Sequence, residues 1–294
     1  MNTQEITGDA VAILGLGKVG TAIGFLLRKA GYRIVAVASR SEASLNRGIV
    51  YTGGRPYLNF SEAALKANCI IITTSDDAIA QVCEKVSNEG GIRHGAKVIH
   101  MSGAGRLDLL QSAQDAGAHI ACIHPLQSFA DVDGAIKNIP NSTFGITSVD
   151  EIREWSVQMV KDLGGMPFFI SDADKPLYHA AACIASNYLT TLIYIVEEIY
   201  QSLGLSQEDT IKAVWPLVMG TISNIETKGT VQALTGPVAR GDAGTVRRHT
   251  EALRRKLPAL LQAYSALGIL TCDLGLKKKT LSFETALLIK ELLK

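Results

Sequence analysis

The sequence predicts an α/β fold in which a doubly wound parallel sheet is followed by an all-α C-terminal domain. Short apolar runs alternate with helical segments through the first half of the chain, and this alternation requires crossover connections between parallel strands. From about Lys175 onward only helical periodicity is found. Because 294 residues are enough for two cores, we expect domains at residues 1–170 and 171–294.

The predicted elements follow one another in a regular order. The first strand, residues 11–14, leads into a helix over 18–30, which Gly31 ends. Helical segments at 61–67, 79–87 and 107–116 separate the later strands, which we expect at 33–38, 69–73, 97–100, 118–123 and 142–146. In the C-terminal domain, helices are predicted over 175–203, 207–227, 230–234, 244–268 and 281–293.

Composition excludes several classes of protein. A net charge of +1 gives no reason to expect nucleic acid or an anionic membrane as a partner. The polar first ten residues do not resemble a secretory signal. The apolar stretch 180–199 is interrupted by polar residues and is expected to be a buried helix rather than a membrane span. We therefore expect a cytoplasmic protein.

Cysteine spacing gives no sign of a disulfide framework or a metal site. The five cysteines form no C-x-x-C pair and no Cys/His cluster with metal-ligand spacing. Their scatter through apolar segments predicts reduced, buried thiols: Cys69, Cys83, Cys122, Cys183 and Cys272.

A glycine-rich turn after the first strand fits the pattern G-x-G-x-x-G. Its position between a strand and a helix is that of a Rossmann-type dinucleotide site, where the pyrophosphate lies at a helix N-terminus. A glycine-rich turn of purely structural importance is the alternative. The residues expected to bind the cofactor here are Gly15, Leu16, Gly17, Lys18, Val19 and Gly20.

The end of the second strand predicts which cofactor is bound. An enzyme that uses NAD would usually place Asp or Glu there to bind the ribose hydroxyls. Here the strand ends in Ser39, Arg40 and Ser41, which offer a guanidinium and two hydroxyls to a 2′-phosphate. We therefore expect NADPH, although Arg40 as a solvated surface residue is the alternative.

Two further strand ends carry small polar residues. Such positions lie where an open α/β sheet binds its ligand. Asp76 and Asp77 follow one of these ends, and at least one of them is expected to cap the helix that begins near Ala78. The expected neighbours of the nicotinamide ribose are Thr74, Ser75, Ser102 and Gly103.

The long C-terminal helix carries a narrow polar stripe on a mostly apolar sequence. His179, Cys183, Ser186, Asn187 and Thr190 recur at steps of three and four residues, which places them on one face. Histidine suits proton transfer near neutral pH, and Asn can bind a carbonyl or carboxylate. We expect His179 and Asn187 to be catalytic and Ser186 to contact substrate; a core histidine with helix–helix hydrogen bonds is the alternative.

Three more residues are candidates for the same site. Lys175 lies one turn before His179 and either donates a proton to a carbonyl oxygen or is simply exposed. His124 follows a strand and either reaches the cleft or belongs to a His-Pro turn. Arg240, in a loop after Gly236-Pro237, suits a carboxylate or a phosphate, whereas Asp242 pairs with it or caps the next helix.

These motifs resemble, in order and over nearly the whole chain, a family of predicted oxidoreductases. The segments that carry the resemblance are GLGKVG, SRS, HMSGAG, HPLQSFA, DKPLYHAAACIASNYL and LTGPVARGD. That family joins a Rossmann-like NADP domain to a helical C-terminal domain of formerly unknown function. The architecture is also similar to pyrroline-5-carboxylate reductase, to deazaflavin-dependent NADP reductases and, more distantly, to ketopantoate and hydroxyisobutyrate dehydrogenases.

The resemblance implies dimerisation through the helical domain and an active cleft between domains. Hydroxyisobutyrate-type dehydrogenases use a Lys followed by an Asn one turn later, but here Lys175 is followed by His179 and only later by Asn187. In pyrroline-5-carboxylate reductases a Gly-rich helix start binds the substrate carboxylate, and LTGPVARGD occupies a comparable place. Some similar proteins are ketopantoate reductases of an alternative form, which makes that substrate the leading specific hypothesis.

The function predicted from the sequence is NADPH-dependent reduction of a small 2-oxo acid or cyclic imine, without a metal. His179 would donate or orient the proton, Asn187 would bind the reacting group, and Arg240 would hold a carboxylate. A non-catalytic NADP-binding sensor or regulatory dimer is one alternative. A deazaflavin-dependent NADP oxidoreductase is the other.

Overall fold

The structure, a computed structural model, describes residues 8–294. It divides into two compact units, the first ending at Asn187 and the second formed by Tyr188–Lys294. The first unit holds one sheet with its helices, and the second is helical. The α/β fold class followed by a helical C-terminal region is confirmed.

The sheet of the first unit has eight strands in the order β3-β2-β1-β4-β5-β6-β7-β8. All neighbouring pairs are parallel except β6 and β7. The strands are β1 (Ala10–Leu14), β2 (Arg33–Ala38), β3 (Arg55–Tyr57), β4 (Cys69–Ile72), β5 (Lys97–His100), β6 (His119–Pro125), β7 (Thr143–Ser148) and β8 (Met166–Phe169). The register joins Leu14 to Ala38 and Ile72, and Ile72 to His100. The segments that follow β1, β2, β4 and β5 therefore leave the sheet at the same edge.

Two apolar cores cover the two faces of this sheet. Side chains of β1 alternate between them: Val11 and Ile13 belong to one core, and Ala12 and Leu14 to the other. Burial on both faces explains why the strand reads as a continuous apolar run. The helices of this unit are α1 (Lys18–Lys29), α2 (Glu42–Thr52), α3 (Phe60–Ala64), α4 (Asp76–Asn88), α5 (Gln111–Asp115), α6 (Val132–Asn138), α7 (Arg153–Asp162) and α8 (Lys175–Cys183).

Some local expectations for the first unit were wrong. The strands β3 and β8 were not predicted; each has only three or four residues, and β3 contains a proline at the sheet edge. The helix expected near Ala78 begins at Asp76, and its N-cap is Ser75. The Asp76 carboxylate instead accepts a hydrogen bond from Ser102 Oγ at 2.8 Å, so it does not cap the helix.

The second unit consists of helices α9 (Leu189–Gln201), α10 (Gln207–Ala233), α11 (Ala243–Lys256), α12 (Pro258–Lys278) and α13 (Phe283–Leu292). Gly229, with φ 74°, interrupts α10 near the break expected at 228–229. The single helix expected over 244–268 is wrong, because Leu257 (φ −142°, ψ 60°) leaves the helical conformation before Pro258 and the chain starts a new helix there.

The second unit buries few of its own apolar side chains. Its core cluster consists of Val238, Val246, Cys272, Leu281, Ala286, Ile289 and Leu293. No residue of α9 is buried. The helical segment Lys175–Gln201, with mean hydropathy 1.3, and α12, with 1.4, are long and apolar enough to cross a membrane. The expectation of a buried helix over 180–199 is therefore wrong, because every residue of that range is half-buried or exposed within the described chain.

All five cysteines are free, as the sequence predicted. Four are buried, and Cys183 is half-buried. Burial raises the pKa of the Cys69, Cys83 and Cys122 thiols, and that of Cys122 reaches about 11. These thiols therefore stay protonated at neutral pH. No group of three or more potential metal ligands occurs among residues 8–294.

Candidate functional site

The glycine-rich turn brings three glycines into distinct environments. Gly15 has φ 115°, a conformation that side chains rarely allow, and its carbonyl accepts a hydrogen bond from Thr73 Oγ1 at 2.7 Å. A Cβ on Gly20 would collide with the Gly15 carbonyl oxygen, whereas a Cβ on Gly17 would meet no atom within 4 Å. Gly17 is the exposed N-cap of α1. The turn therefore leaves open space in front of a helix N-terminus that suits a phosphate.

The other residues of the turn differ in accessibility. The Leu16 side chain is 6% exposed and belongs to the core, and Val19 packs against that core. The Lys18 side chain is exposed at the first position of α1. Of these three side chains, only that of Lys18 is available to an anion at this helix start.

Arg40 lines a cavity of about 870 Å³ beside the end of β2. Its other lining residues include Phe60, Thr74 and Lys85. Lys85 pairs with Glu89 at 3.9 Å, and Glu84 also lines the cavity. Arg40 is therefore the cationic group there that suits a phosphate-bearing ligand. Ser41 is the N-cap of α2, and its Oγ accepts from Ser44 N at 3.1 Å. Its hydroxyl therefore has a structural partner.

The strand ends after β4 and β5 form one polar group. Ser102 Oγ donates to Asp76 and accepts from Gly105 N, each at 2.8 Å. Thr74 Oγ1 is buried and has no hydrogen-bond partner among the described residues. A buried hydroxyl without a partner calls for a ligand or water. Thr74 is thus the group in this cluster best suited to contact a bound nucleotide.

A second cavity of about 540 Å³ lies in the first unit and contains most of the predicted catalytic stripe. His124, His179, Ser186 and Asn187 all line it. A π-helical segment, Ile184–Tyr188, follows α8, and it carries Ser186 and Asn187. Such segments occur frequently at functional sites. Thr190, the last residue of the stripe, lines a different groove, in the second unit, because the extra residue per turn changes the helical phase.

Two imidazoles meet over the backbone of Gly103, next to β5. The His124 and His179 ring centroids are 5.8 Å apart, at an angle of 82°. A Cβ on Gly103 would collide with His179 Nδ1 and would lie 2.9 Å from His124 Nε2. His179 Nδ1 is buried without a hydrogen-bond partner among residues 8–294, and Nε2 is 3.6 Å from Cys183 Sγ. An unpaired imidazole nitrogen is therefore available beside the cavity.

Burial determines the charge of the histidines around this point. Burial, and next the positive charge of Lys175, lower the pKa of His124 to about 3. The same two causes, in the same order, lower the pKa of His100 to about 4. His100 Nδ1 accepts from Ser102 N at 3.2 Å and its Nε2 lies 3.2 Å from the Arg106 carbonyl. Both imidazoles are therefore neutral at physiological pH.

Lys175 is buried beneath the cavity and is 1% exposed, so its exposure, the alternative interpretation, is wrong. Its Nζ donates to Cys122 Sγ at 2.9 Å and to the Ser102 carbonyl at 3.3 Å. It forms no salt bridge within the described chain. A buried ammonium group without a carboxylate partner costs free energy. Its positive potential instead acts on the neighbouring imidazoles.

Arg240 lies in the second unit and is exposed. Asp242 is the N-cap of α11, and its carboxylate accepts from Thr245 N at 2.9 Å. The hydrogen bonds from Thr245 lower the pKa of Asp242. The capping alternative for Asp242 is therefore confirmed, and Arg240 is left without a salt bridge among the described residues.

Sequence reasoning missed two features of the site. Tyr178 lies between Lys175 and His179, and its hydroxyl is 2.8 Å from His124 Nδ1. Gly103 was named only as a neighbour of the ribose, but it provides the space for both imidazoles. His124 and Tyr178 are 54 residues apart, and no periodicity connects them. The aromatic residue in the DKPLYHAA segment was the available signal.

Two family models match the sequence. Residues 4–125 match a Rossmann-like domain, and residues 142–271 match a domain of unknown function, DUF2520. The two matches follow the order of the sheet and the helices. No curated protein matches the chain.

Several solved structures share the fold. A suspected NADP oxidoreductase, BF3122 from Bacteroides fragilis, is 20% identical, with a TM-score of 0.75, over 90% of this chain and 98% of its own. TM1727 from Thermotoga maritima is 23% identical, with a TM-score of 0.70, over 92% and 100%. Pyrroline carboxylate reductase from Plasmodium falciparum, solved with NADP bound, is 13% identical, with a TM-score of 0.60, over 98% and 100%. At these identities the likeness demonstrates a shared fold.

Proposed function

The chain joins a Rossmann-like domain to a DUF2520 domain, and we propose that it is an NADPH-dependent reductase of a small 2-oxo acid or cyclic imine. The observation that carries the proposal is a pair of cavities in the first unit. One lies beside the end of β2, and the other contains two imidazoles near the end of β5. In open α/β sheets, dinucleotides and their substrates bind at the carboxyl ends of strands.

The glycine-rich turn, Ser39 and two residues of the first cavity, Arg40 and Thr74, fit NADPH. Gly15 and Gly17 would hold the pyrophosphate, and Arg40 with Ser39 would bind the 2′-phosphate, because no carboxylate follows β2 to repel it. The unpaired Thr74 hydroxyl would bond to the nicotinamide end. Several structures with this fold are NADP oxidoreductases or pyrroline-5-carboxylate reductases, which supports the same cofactor.

The second cavity supplies the groups that a carbonyl reduction requires. When bound, NADPH supplies a hydride to the carbonyl carbon. The electron pair of the C=O bond then moves to oxygen, which takes a proton from His179 and leaves an alcohol. His179 regains its proton from solvent. Asn187 would orient the reacting group, and the role of Arg240 as a carboxylate ligand stays a prediction.

In this mechanism Lys175 acts from beneath the site. Its buried Nζ donates to Cys122 Sγ and to the Ser102 carbonyl, and it would favour the negative charge that develops on the carbonyl oxygen. Direct proton donation by Lys175 is the competing assignment. A Lys175→Met variant that keeps the pH dependence of turnover would exclude it.

The test follows NADPH absorbance with purified protein and a panel that contains ketopantoate, pyrroline-5-carboxylate and other small 2-oxo acids. We expect one compound to be turned over, and His179→Ala to lower kcat by about a hundredfold or more. The matched control is His249→Ala, because His249 is exposed on the second unit. Tight NADPH binding without turnover of any compound would favour a sensor. Turnover only in the presence of an added deazaflavin would favour a deazaflavin-dependent NADP oxidoreductase.

We also propose that two copies associate through their second units. Exposed apolar side chains follow α9 and α10: Leu189, Leu192, Tyr194, Trp215, Leu217, Met219, Ile222 and Ile225. A membrane is the less suitable occupant. The helical segment Lys175–Gln201 begins with Lys175 and His179 inside the first unit, so only the 13 residues of α9 remain. At 1.5 Å per residue they would span about 20 Å, less than the roughly 30 Å of a bilayer core.

The free thiols are the observation from which we propose a cellular compartment for the protein. Four buried cysteines without a disulfide suit a reducing compartment. We therefore propose a cytoplasmic protein, which localisation of a tagged chain by microscopy or fractionation would test. Enrichment with membranes or in a secreted fraction would contradict it.

A further inference from the structure

The Tyr178 hydroxyl lies 2.8 Å from Nδ1 of His124, with the two rings edge to face at 84°. Tyr178 is held in this place by its surroundings. Its ring packs on the backbone of Gly145 in β7, where a Cβ would lie 3.0 Å from the hydroxyl oxygen, and against the edge of Phe168. A side chain at residue 145 would displace the hydroxyl. The fold therefore fixes Tyr178 against one particular nitrogen of His124.

Both members of this pair are neutral. Burial raises the pKa of Tyr178 to about 12, and burial together with Lys175 lowers the pKa of His124 to about 3. A neutral imidazole carries one proton, on either Nδ1 or Nε2, and the partner of the other nitrogen decides which.

The contacts favour the proton on Nε2. If the Tyr178 hydroxyl donates a hydrogen bond to His124 Nδ1, each polar atom of the two side chains either has a hydrogen-bond partner or faces the cavity. If Nδ1 donates instead, the phenol proton needs another acceptor, and residues 8–294 offer the hydroxyl none besides His124. Leaving a partly buried donor unpaired costs free energy. His124 Nε2 then carries its N–H on the side of Gly103, and the His124 side chain lines the 540 Å³ cavity.

We propose that Tyr178 is a positioning residue that holds His124 as a neutral Nε2–H donor, and that the group reduced in this cavity is therefore a carbonyl rather than a protonated imine. This inference rests on the proposed function and selects between its two substrate classes. A carbonyl oxygen accepts the Nε2–H bond, and it accepts it more strongly as negative charge develops during hydride addition. A protonated imine nitrogen is itself a donor and would face a second donor.

The rest of the cavity agrees with this choice. A protonated imine would need a carboxylate nearby to stabilise its charge, but no Asp or Glu of the described chain lines this cavity. Its wall consists of apolar and uncharged polar side chains, among them Leu126, Phe129 and Ala182. The charge of the buried Lys175 ammonium acts on His124, which lines this cavity, and it would repel a cation and attract a developing oxyanion.

The experiment reads the tautomer directly by ¹⁵N NMR of histidine-labelled full-length protein, with and without NADP⁺, and assigns the signal with a His124→Gln variant. We expect His124 to be protonated on Nε2 alone. In Tyr178→Phe we expect a mixture of the two tautomers and a kcat lower by about tenfold to a hundredfold, with KM and NADPH affinity nearly unchanged. The matched control is Tyr51→Phe, which removes another hydroxyl of the first unit, bonded to Asp133.

The possible outcomes separate this inference from the proposed function. A proton on Nδ1 in the wild-type protein, or an unchanged tautomer in Tyr178→Phe, would overturn the role of Tyr178. Efficient turnover of a cyclic imine but of no carbonyl compound would overturn the substrate class. The expected tautomer in a protein without any turnover would leave the positioning intact and count against the reductase itself. Circular dichroism of each variant checks that it folds.

Discussion

The two units of the chain differ in how much of their apolar side-chain surface they bury. The first unit buries both faces of its sheet within the same chain, and all of the largest fully buried side chains belong to it. The second unit has a small core, buries no residue of α9 and leaves most of α10 exposed. Hydrophobic burial stabilises a fold only where a partner surface is present. The first unit therefore covers its apolar surfaces itself, whereas the second leaves an apolar surface that the proposed second copy would cover.

The largest expected effect is on dimerisation, which we expect to depend on the second unit and not on the first. Ile222→Glu places a charge in the apolar groove of the second unit, and we expect it to convert a dimer into single chains of 31.4 kDa. The cause is the high cost of burying an unpaired carboxylate. Light scattering coupled to gel filtration measures the mass. Val50→Glu, at an exposed apolar site of the first unit, should leave the dimer intact. A wild-type protein that runs as a single chain at micromolar concentration would contradict the account.

The next effect is a loss of stability at acidic pH, which we expect to arise in the first unit. The pKa of His100 is about 4 in the folded protein, whereas the ordinary histidine pKa, which applies to the unfolded chain, is 6.5. As the pH falls, the unfolded chain therefore binds the proton before the folded protein does. The free energy of unfolding is therefore fully present above pH 6.5 and falls as the pH is lowered toward 4. The loss from His100 approaches roughly 3 kcal/mol.

Urea unfolding at a series of pH values measures this slope. We expect His100→Gln to reduce this slope, with the remainder due to His124, whose pKa is about 3, even if the variant is less stable at every pH. His249→Gln is the matched control, because His249 is an exposed histidine of the second unit. Equal slopes in wild-type protein and His100→Gln would show that another group causes the acid sensitivity.

The smallest effect on the fold distinguishes two glycines of the turn. Gly20→Ala forces a Cβ into the Gly15 carbonyl, and we expect a loss of about 1–3 kcal/mol in the free energy of unfolding. Gly17→Ala meets no atom within 4 Å, so its stability should be unchanged while NADPH binding weakens by about tenfold or more. Unfolding curves and fluorescence titration measure the two quantities. If Gly17→Ala binds NADPH as tightly as the wild-type protein does, the pyrophosphate does not bind at this turn.

The sequence predicted those parts of the molecule that depend on neighbouring residues. Continuous apolar runs identified β1, β2, β4 and β5, since each is buried within the chain on both faces. The strands β3 and β8 escaped because three or four residues give no usable periodicity. The exposure of α9 could not be predicted, because an apolar helix has the same pattern whether it is covered by its own chain or by another.

The site was predicted to a similar extent. The stripe of His179, Ser186 and Asn187 was found from spacing, and all three line one cavity. The π-helical segment that separates Thr190 from them has no sequence rule behind it. The contact between Tyr178 and His124 depends on the meeting of α8 with β6, and it becomes visible only when the sheet is assembled. Exposure was the alternative to a catalytic role for Lys175, taken from the average behaviour of lysines, but its amine is buried by three-dimensional packing.

The central claim is that the first unit binds NADPH, and fluorescence titration of the purified protein with NADPH and NADH tests it most directly. The account predicts that NADPH binds at least about tenfold more tightly than NADH, and that Arg40→Ala removes this preference without weakening NADH, since a charge-assisted contact to the 2′-phosphate contributes about 1.5–3 kcal/mol. No binding of NADPH, or a preference that survives in Arg40→Ala, would contradict it.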